Sequence, residues 1–274
     1  MLAGAVAVVV TALERLRPEA PLVARCSATL GETDWSLSPD QAQNAALFAA
    51  VAQRRSLPAR AVTIAIATGL QESRLENIDY GDRDSIGLFQ QRPSQGWGSV
   101  EQIMDPVYAT GKFYDGLVKV DGYEDLEVTV AAQAVQRSAF PDAYAQHETR
   151  ARAWASALTG HSPGALTCRL PASDEPGSPE VAAQRLVRDF GDVAHEQVAA
   201  TDDEPAVLVV HGAALGDEPE RQAWAVAAWA VATAQVLGTT GVEVAGQTWT
   251  RDTGAWTPSA ALLPAGDVRL TFGR

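Results

Sequence analysis

The chain has 274 residues, 46% hydrophobic and 20% charged, a globular composition with room for one large domain or two modest ones. A formal net charge of −13 with no block of Lys or Arg argues against nucleic acid as a partner. The four histidines are dispersed, the two cysteines form no CxxC pair, and Gly96-Trp97-Gly98 is too short for a phosphate loop, so neither metal nor cofactor is expected.

Leu2 to Leu13 is apolar, but these 12 residues fall short of the roughly 20 that span a bilayer. Residues 1–23 read as the end of a membrane anchor or signal segment plus spacer, with a short buried helix as the alternative. Arg17 to Leu37, with Pro18, Pro21 and Gly31, reads as a spacer wrapping onto the first domain. Ser38 then caps a helix with Pro39 at its first position, and Pro58 starts a second helix that is apolar nearly all round from Ala61 to Leu70. Asn77 to Gln90 has no helical period and suits a short twisted hairpin or loop pair. Helices are expected again from Pro106 to Val120, Leu126 to Phe140 and Asp142 to Leu158.

Residues 171–179 (PASDEPGSP) have linker composition. Beyond them a helix is expected over Glu180–Phe190 with Gly191 as its stop, then a Val-rich strand over residues 206–211. An Ala-rich helix comes next over Glu218–Leu237, then a hairpin turning at Asp252–Gly254 and a final strand. The expected fold class is therefore α+β. A mainly helical domain with a small β-hairpin insertion covers residues 24–170, and a small α+β domain of roughly 95 residues covers 180–274. Trp224, Trp229, Trp249 and Trp256 suit the core of the second domain.

The chemistry concentrates in Gln71–Gly98, QESRLENIDYGDRDSIGLFQQRPSQGWG. Glu72 ends the buried second helix, where an apolar cleft would raise its pKa and keep it protonated as a general acid; from helix position alone, an ordinary exposed glutamate at a helix C-terminus is the favoured alternative. Cys26 and Cys168 flank this region. One disulfide between them would tie its ends together and require an oxidising, exported location; two buried free thiols are the alternative.

An apolar helix, then Gln71-Glu72-Ser73, then Ser85-x-Gly87-Leu88-Phe89-Gln90, resembles the soluble-type lytic transglycosylases, and GDRDSIGLFQ is similar to goose-type lysozymes. The resemblance covers residues 38–160 and implies a lysozyme-like catalytic domain that cleaves peptidoglycan. It matches Glu72 to the catalytic acid/base. Ser85 and Gln90 match residues lining the saccharide cleft, and Gly87 a point of close backbone approach. Asp82 stands where goose-type lysozymes carry an aspartate that assists water; capping a loop or pairing with Arg83 is the equal alternative. The family's Ala-Tyr-Asn-Ala-Gly element is not intact here; at Ala134–Ser138, Gln136 stands in for its Asn against an N-acetyl group. Tyr144 corresponds to a tyrosine beside the catalytic acid or is structural. Gln91, Arg92, Gln95 and Trp97 are expected to line the cleft, with core packing the competing role for Trp97. The partners implied are glycan strands, a cell-envelope protein at the C-terminal domain, and the membrane through the anchor; the location implied is extracytoplasmic. A non-catalytic glycan-binding module is the alternative.

Overall fold

A computed structural model describes residues 22–138, 142–173, 175–260 and 262–273. The apolar stretch expected as an anchor lies outside these residues, and among those described no helix is long and apolar enough to cross a membrane. The chain is a mixed α+β protein.

Its first elements correct the expected spacer. β1 (Arg25–Leu30) and β2 (Thr33–Leu37) form a hairpin through Gly31, whose φ of 61° places it in the left-handed region that glycine enters without steric penalty. β3 (Leu166–Arg169) pairs with the other edge of β1. The partner of β1 thus lies far down the chain, where no local pattern reveals it. Cys26 and Cys168 are directly opposite in that ladder and form the disulfide, closing a loop with a sequence separation of 142.

α1 (Pro39–Arg54) begins with a reciprocal capping box. Ser38 Oγ accepts from the Gln41 N–H (3.2 Å), and the Ser38 N–H donates to Gln41 Oε1 (2.8 Å). α2 (Ala59–Ser73) is buried continuously from Ala61 to Leu70. It is enclosed by α1, α4 (Pro106–Leu117), α5 (Val128–Gln136) and α6 (Glu148–Leu158), while the short α3 (Val100–Met104) leads into α4. Phe89 stacks between Phe48 and Phe113, with centroids 4.7 and 4.5 Å away, so the loop carrying it is anchored to two helices.

Three expected elements are shorter than their composition suggests. α4 ends at Leu117, and α5 ends at Gln136 because Arg137 turns left-handed (φ 53°) with its N–H donating to Gln133 O (2.8 Å). Residues 142–147 form a turn and a short 3-10 segment, so α6 starts only at Glu148. The expected hairpin insertion reduces to one bridge, Ile86 with Gln91. Side chains satisfy that loop instead: Asp84 takes the Ser94 N–H (2.8 Å) and Asn77 donates to Met104 O (2.8 Å).

The C-terminal part contains α7 (Pro179–Phe190), β4 (His195–Val198), β5 (Val207–His211), α8 (Pro219–Ala232), α9 (Ala234–Leu237), β6 (Thr239–Val244), β7 (Gln247–Thr250), β8 (Ala255–Pro258) and β9 (Asp267–Phe272). The strands build an antiparallel sheet in the order β4-β5-β9-β6-β7-β8. The expected turn at Asp252–Gly254 is present. A second, tighter turn at Ala245-Gly246 (φ 47° and 70°) makes the segment a three-strand meander.

α8 is buried on nearly every side, between α1, α6 and β3 on one flank and β6 and β9 on the other. Its alanines let backbones approach from both directions. A Cβ on Gly160 would collide with the Arg221 carbonyl, so α8 crosses the end of α6 without room for a methyl group. Asp189, fully buried on α7, accepts from Arg185 (2.8 Å), Arg188 (2.7 Å) and Trp229 Nε1 (2.9 Å), while Arg185 also donates to Gln43 of α1 (3.2 Å). Trp249 is fully buried and Trp256 is half-buried against Trp224. In residues 171–179, the Pro171 carbonyl accepts from Arg251 Nε (2.6 Å), and Gly177 packs against the carbonyls at the end of α9. One buried cluster of side chains runs through both parts.

Because the disulfide closes so long a loop, it removes much of the freedom of the unfolded chain. Replacing both cysteines with alanine is expected to lower unfolding free energy by about 2–4 kcal/mol. Denaturant titration with and without reductant measures this; equal midpoints would contradict it.

Candidate active site

Glu72 occupies the last turn of α2, and the way that helix stops determines where its carboxyl sits. Arg74 (φ 59°) and Leu75 (φ 61°) are both left-handed, and the Leu75 N–H returns to Gly69 O (2.9 Å). α1 caps the exit, with Gln41 donating to Arg74 O (2.9 Å) and Asn44 to Leu75 O (2.8 Å). Gly69 makes room for this turn: a Cβ there would meet Leu75 Cδ2 at 2.7 Å and the Phe48 ring at 3.0 Å, so both side chains would have to shift. The Ser73 hydroxyl donates to Leu88 O (2.7 Å), tying the helix end to the GLF segment.

The carboxyl accepts a 2.6 Å hydrogen bond from the buried Tyr144 hydroxyl. Gln136 bonds the same carboxyl and donates to Phe89 O (2.7 Å), linking α5, the loop and the acid. Burial dominates and raises the Glu72 pKa above 4.5, although both hydrogen bonds favour the charged form. Burial, and then the charge on Glu72, push the Tyr144 phenol upward, so it remains a hydrogen-bond donor.

Glu72, Asp82, Ser85, Gln90, Gln91, Arg92, Gln95, Trp97 and Gln136 all line one cleft of about 410 Å³. They contribute differently. Gln90 adopts a left-handed φ of 48°, and its amide donates to Tyr80 O (3.2 Å) while packing on Gly81, so it also holds the loop together. The Gln91 side chain is buried and donates to Ala109 O (3.1 Å). Arg92 pairs with Asp84 (2.9 Å), and the Ser94 N–H first, then that pairing and the Ser94 hydroxyl, hold the Asp84 carboxyl far below the usual carboxylate range. The Asp82 side chain is 90% exposed and lies 4.0 Å from Arg83. Trp97 is half-buried: it packs on the core with one side and lines the cleft with the other.

Two expected residues fall outside the lining. Gly87 is buried, its N–H donating to Ile78 O (2.7 Å), and its Cβ position faces Ile103 O at 3.0 Å. Its φ of 78° serves a turn inside the domain, so it offers no close approach to a ligand. Tyr144 stands behind Glu72 and reaches the site through its hydroxyl. Arg83, Arg137 and Ser138 line the cleft without having been singled out from the sequence. A basic residue beside an acidic one in Gly-Asp-Arg looks like an ordinary loop pair, and Arg137 enters only because α5 stops at Gln136.

The cleft is not closed at Trp97. Gln95, Trp97, Gln136 and Arg137 also line a second depression of about 740 Å³ between α4 and α5, so the two form one elongated groove. Among the described residues, no group of three or more His, Cys, Asp or Glu side chains could hold a metal ion. A half-buried acid with raised pKa, beside a polar and aromatic groove, can deliver a proton to an ether oxygen. No family model matches the chain, and no curated protein matches it.

The linkage sign is set by the raised pKa. Between 4.5 and the higher folded value, the native state holds a proton that the unfolded chain has lost, so stability falls as pH rises through that window. Glu72→Gln is therefore expected to stabilise the protein at pH 7, with the gain vanishing below pH 4.5. Thermal melts of both proteins across that range test it; a gain independent of pH would contradict the assigned ionisation.

Proposed function

We propose that the chain cleaves the β-1,4 bond between N-acetylmuramic acid and N-acetylglucosamine in peptidoglycan, as a lytic transglycosylase. The observation that carries this reading is Glu72: one desolvated carboxyl, held by Tyr144 and Gln136, in an elongated groove. The motif resemblance in Gln71–Gln90 supplies the substrate class.

In this reading Glu72 protonates the glycosidic oxygen as the C–O bond breaks. The resulting carboxylate then takes the proton from the substrate's own C6 hydroxyl, whose oxygen closes onto the anomeric carbon. The product carries a 1,6-anhydro ring, no water is consumed, and Glu72 ends protonated as it began. Tyr144 keeps the carboxyl aimed while it is charged. A hydrolase needs a second, positioned carboxylate, whereas Asp82 is exposed and met only loosely by Arg83. The disulfide agrees with an extracytoplasmic location.

A non-catalytic glycan-binding module is the second reading. It is favoured by Gln136, whose amide is engaged by Phe89 O and Glu72 rather than presented to an N-acetyl group.

Mass spectrometry of peptidoglycan digests separates these readings. Wild type is expected to release muropeptides one water lighter than hydrolysed ones, and Glu72→Gln to lose at least about 10²-fold in rate. Strand binding without released product, in wild type and variant alike, selects the binding module. Asp82→Asn is expected to keep a rate within roughly threefold and to yield the same anhydro ends, because a loosely held carboxylate positions no water. A switch in product, or loss of turnover, would make Asp82 part of the catalytic pair.

A further inference from the structure

The α4–α5 half of the groove carries a charge pattern unlike the rest of the chain. Both lysines of the protein, Lys112 and Lys119, line it, together with Arg137. They are seven residues apart, about two helical turns, and so fall along one side of α4 and its exit. Asp115 is the carboxylate in this lining, and Arg55 engages it at 2.6 Å. Lys112, Lys119 and Arg137 make no ion pair among the described residues; Lys112 lies 5.4 Å from the centre of the Tyr108 ring. Three uncompensated cations therefore converge on one groove of a molecule whose net charge is −13.

The floor beneath them suits a saccharide. Gly116 lets α5 approach: a Cβ there would stand 2.9 Å from Val135 Cγ1 and 3.9 Å from the Trp97 ring. Without that methyl, Trp97 and Val120 leave an apolar strip for sugar faces in the same lining as the cations. Charges farther than about 8 Å are largely screened at physiological ionic strength, so these local cations, not the acidic bulk, decide what settles here.

We propose that this half of the groove binds carboxylates borne on the glycan strand, making Lys112 and Lys119 specificity residues that select acidic over neutral strands. The inference rests on the glycan-cleaving reading and adds where the charge of the substrate goes. Neither lysine touches Glu72, so the selection acts on binding rather than on the proton transfer.

The test uses the full chain carrying Glu72→Gln, which holds strands without cutting them. Its affinity is measured for solubilised peptidoglycan strands with native carboxylates and for the same strands after amidation. Native strands are expected to bind roughly tenfold more tightly at low salt, from two partly exposed charge contacts worth about threefold each. The preference should shrink as salt is raised. Adding Lys112→Gln and Lys119→Gln should cut it to no more than the roughly threefold that Arg137 alone can supply, without weakening binding to amidated strands, and Lys→Arg at both positions should retain it in full. Equal binding of native and amidated strands, or a preference undiminished by both glutamines, overturns the proposal. Binding to neither strand overturns the glycan reading itself, an outcome distinct from equal binding to both.

Discussion

The burial of α2 is the constraint on which the rest of the molecule depends. A helix hidden from Ala61 to Leu70 cannot simply fray into solvent, and its terminal carbonyls need partners. Two successive left-handed residues turn the chain sharply at Arg74 and Leu75, the Leu75 N–H meets the Gly69 carbonyl, and α1 fixes the turn by donating from Gln41 and Asn44 to the Arg74 and Leu75 carbonyls. Glu72 is the residue left facing the cleft when the helix stops this way. Ser73, one position on, grips Leu88, so acid and loop share a single rigid junction.

Burial and hydrogen bonding oppose each other at Glu72, and burial is the stronger. Asp84, ten residues from the loop amide it caps, shows the reverse outcome: with a backbone N–H, a hydroxyl and a guanidinium around an accessible carboxyl, the charged form is favoured. The same functional group is thus pushed toward its neutral form at one position and toward its charged form at the other, according to how much water it keeps. Gln136 belongs to both tasks, since its amide bonds the acid and also the backbone of Phe89, the ring at the centre of the aromatic stack.

The C-terminal part packs against this arrangement through α8. α8 meets α1 and α6, two of the helices that enclose α2, and Gln53 hydrogen-bonds Gln222 across that contact. The disulfide holds β3 against β1 on the same flank. The groove is left open on the opposite part of the helical region, between the loop of residues 77–98 and the α4–α5 pair.

Local chemistry makes part of this legible from the amino-acid sequence alone. Ser38 before Pro39, the unbroken apolar run ending at Glu72, the Val-rich strand at residues 207–211 and the stop at Gly191 each depend on neighbours a few residues away. Other features exist only after distant segments meet. β1 looks like a spacer until β3 arrives to pair with it; Gly87 looks ligand-facing until Ile78 and Ile103 close over it; the loop ladder shrinks to one bridge because side chains take the backbone's partners. Tyr144 reaches Glu72 across 72 positions, and Arg137 joins the two lysines only because α5 ends one residue before it. Periodicity records which face of an element is apolar, whereas the partner of that face is chosen by packing the whole chain at once, and the site is made of such partners.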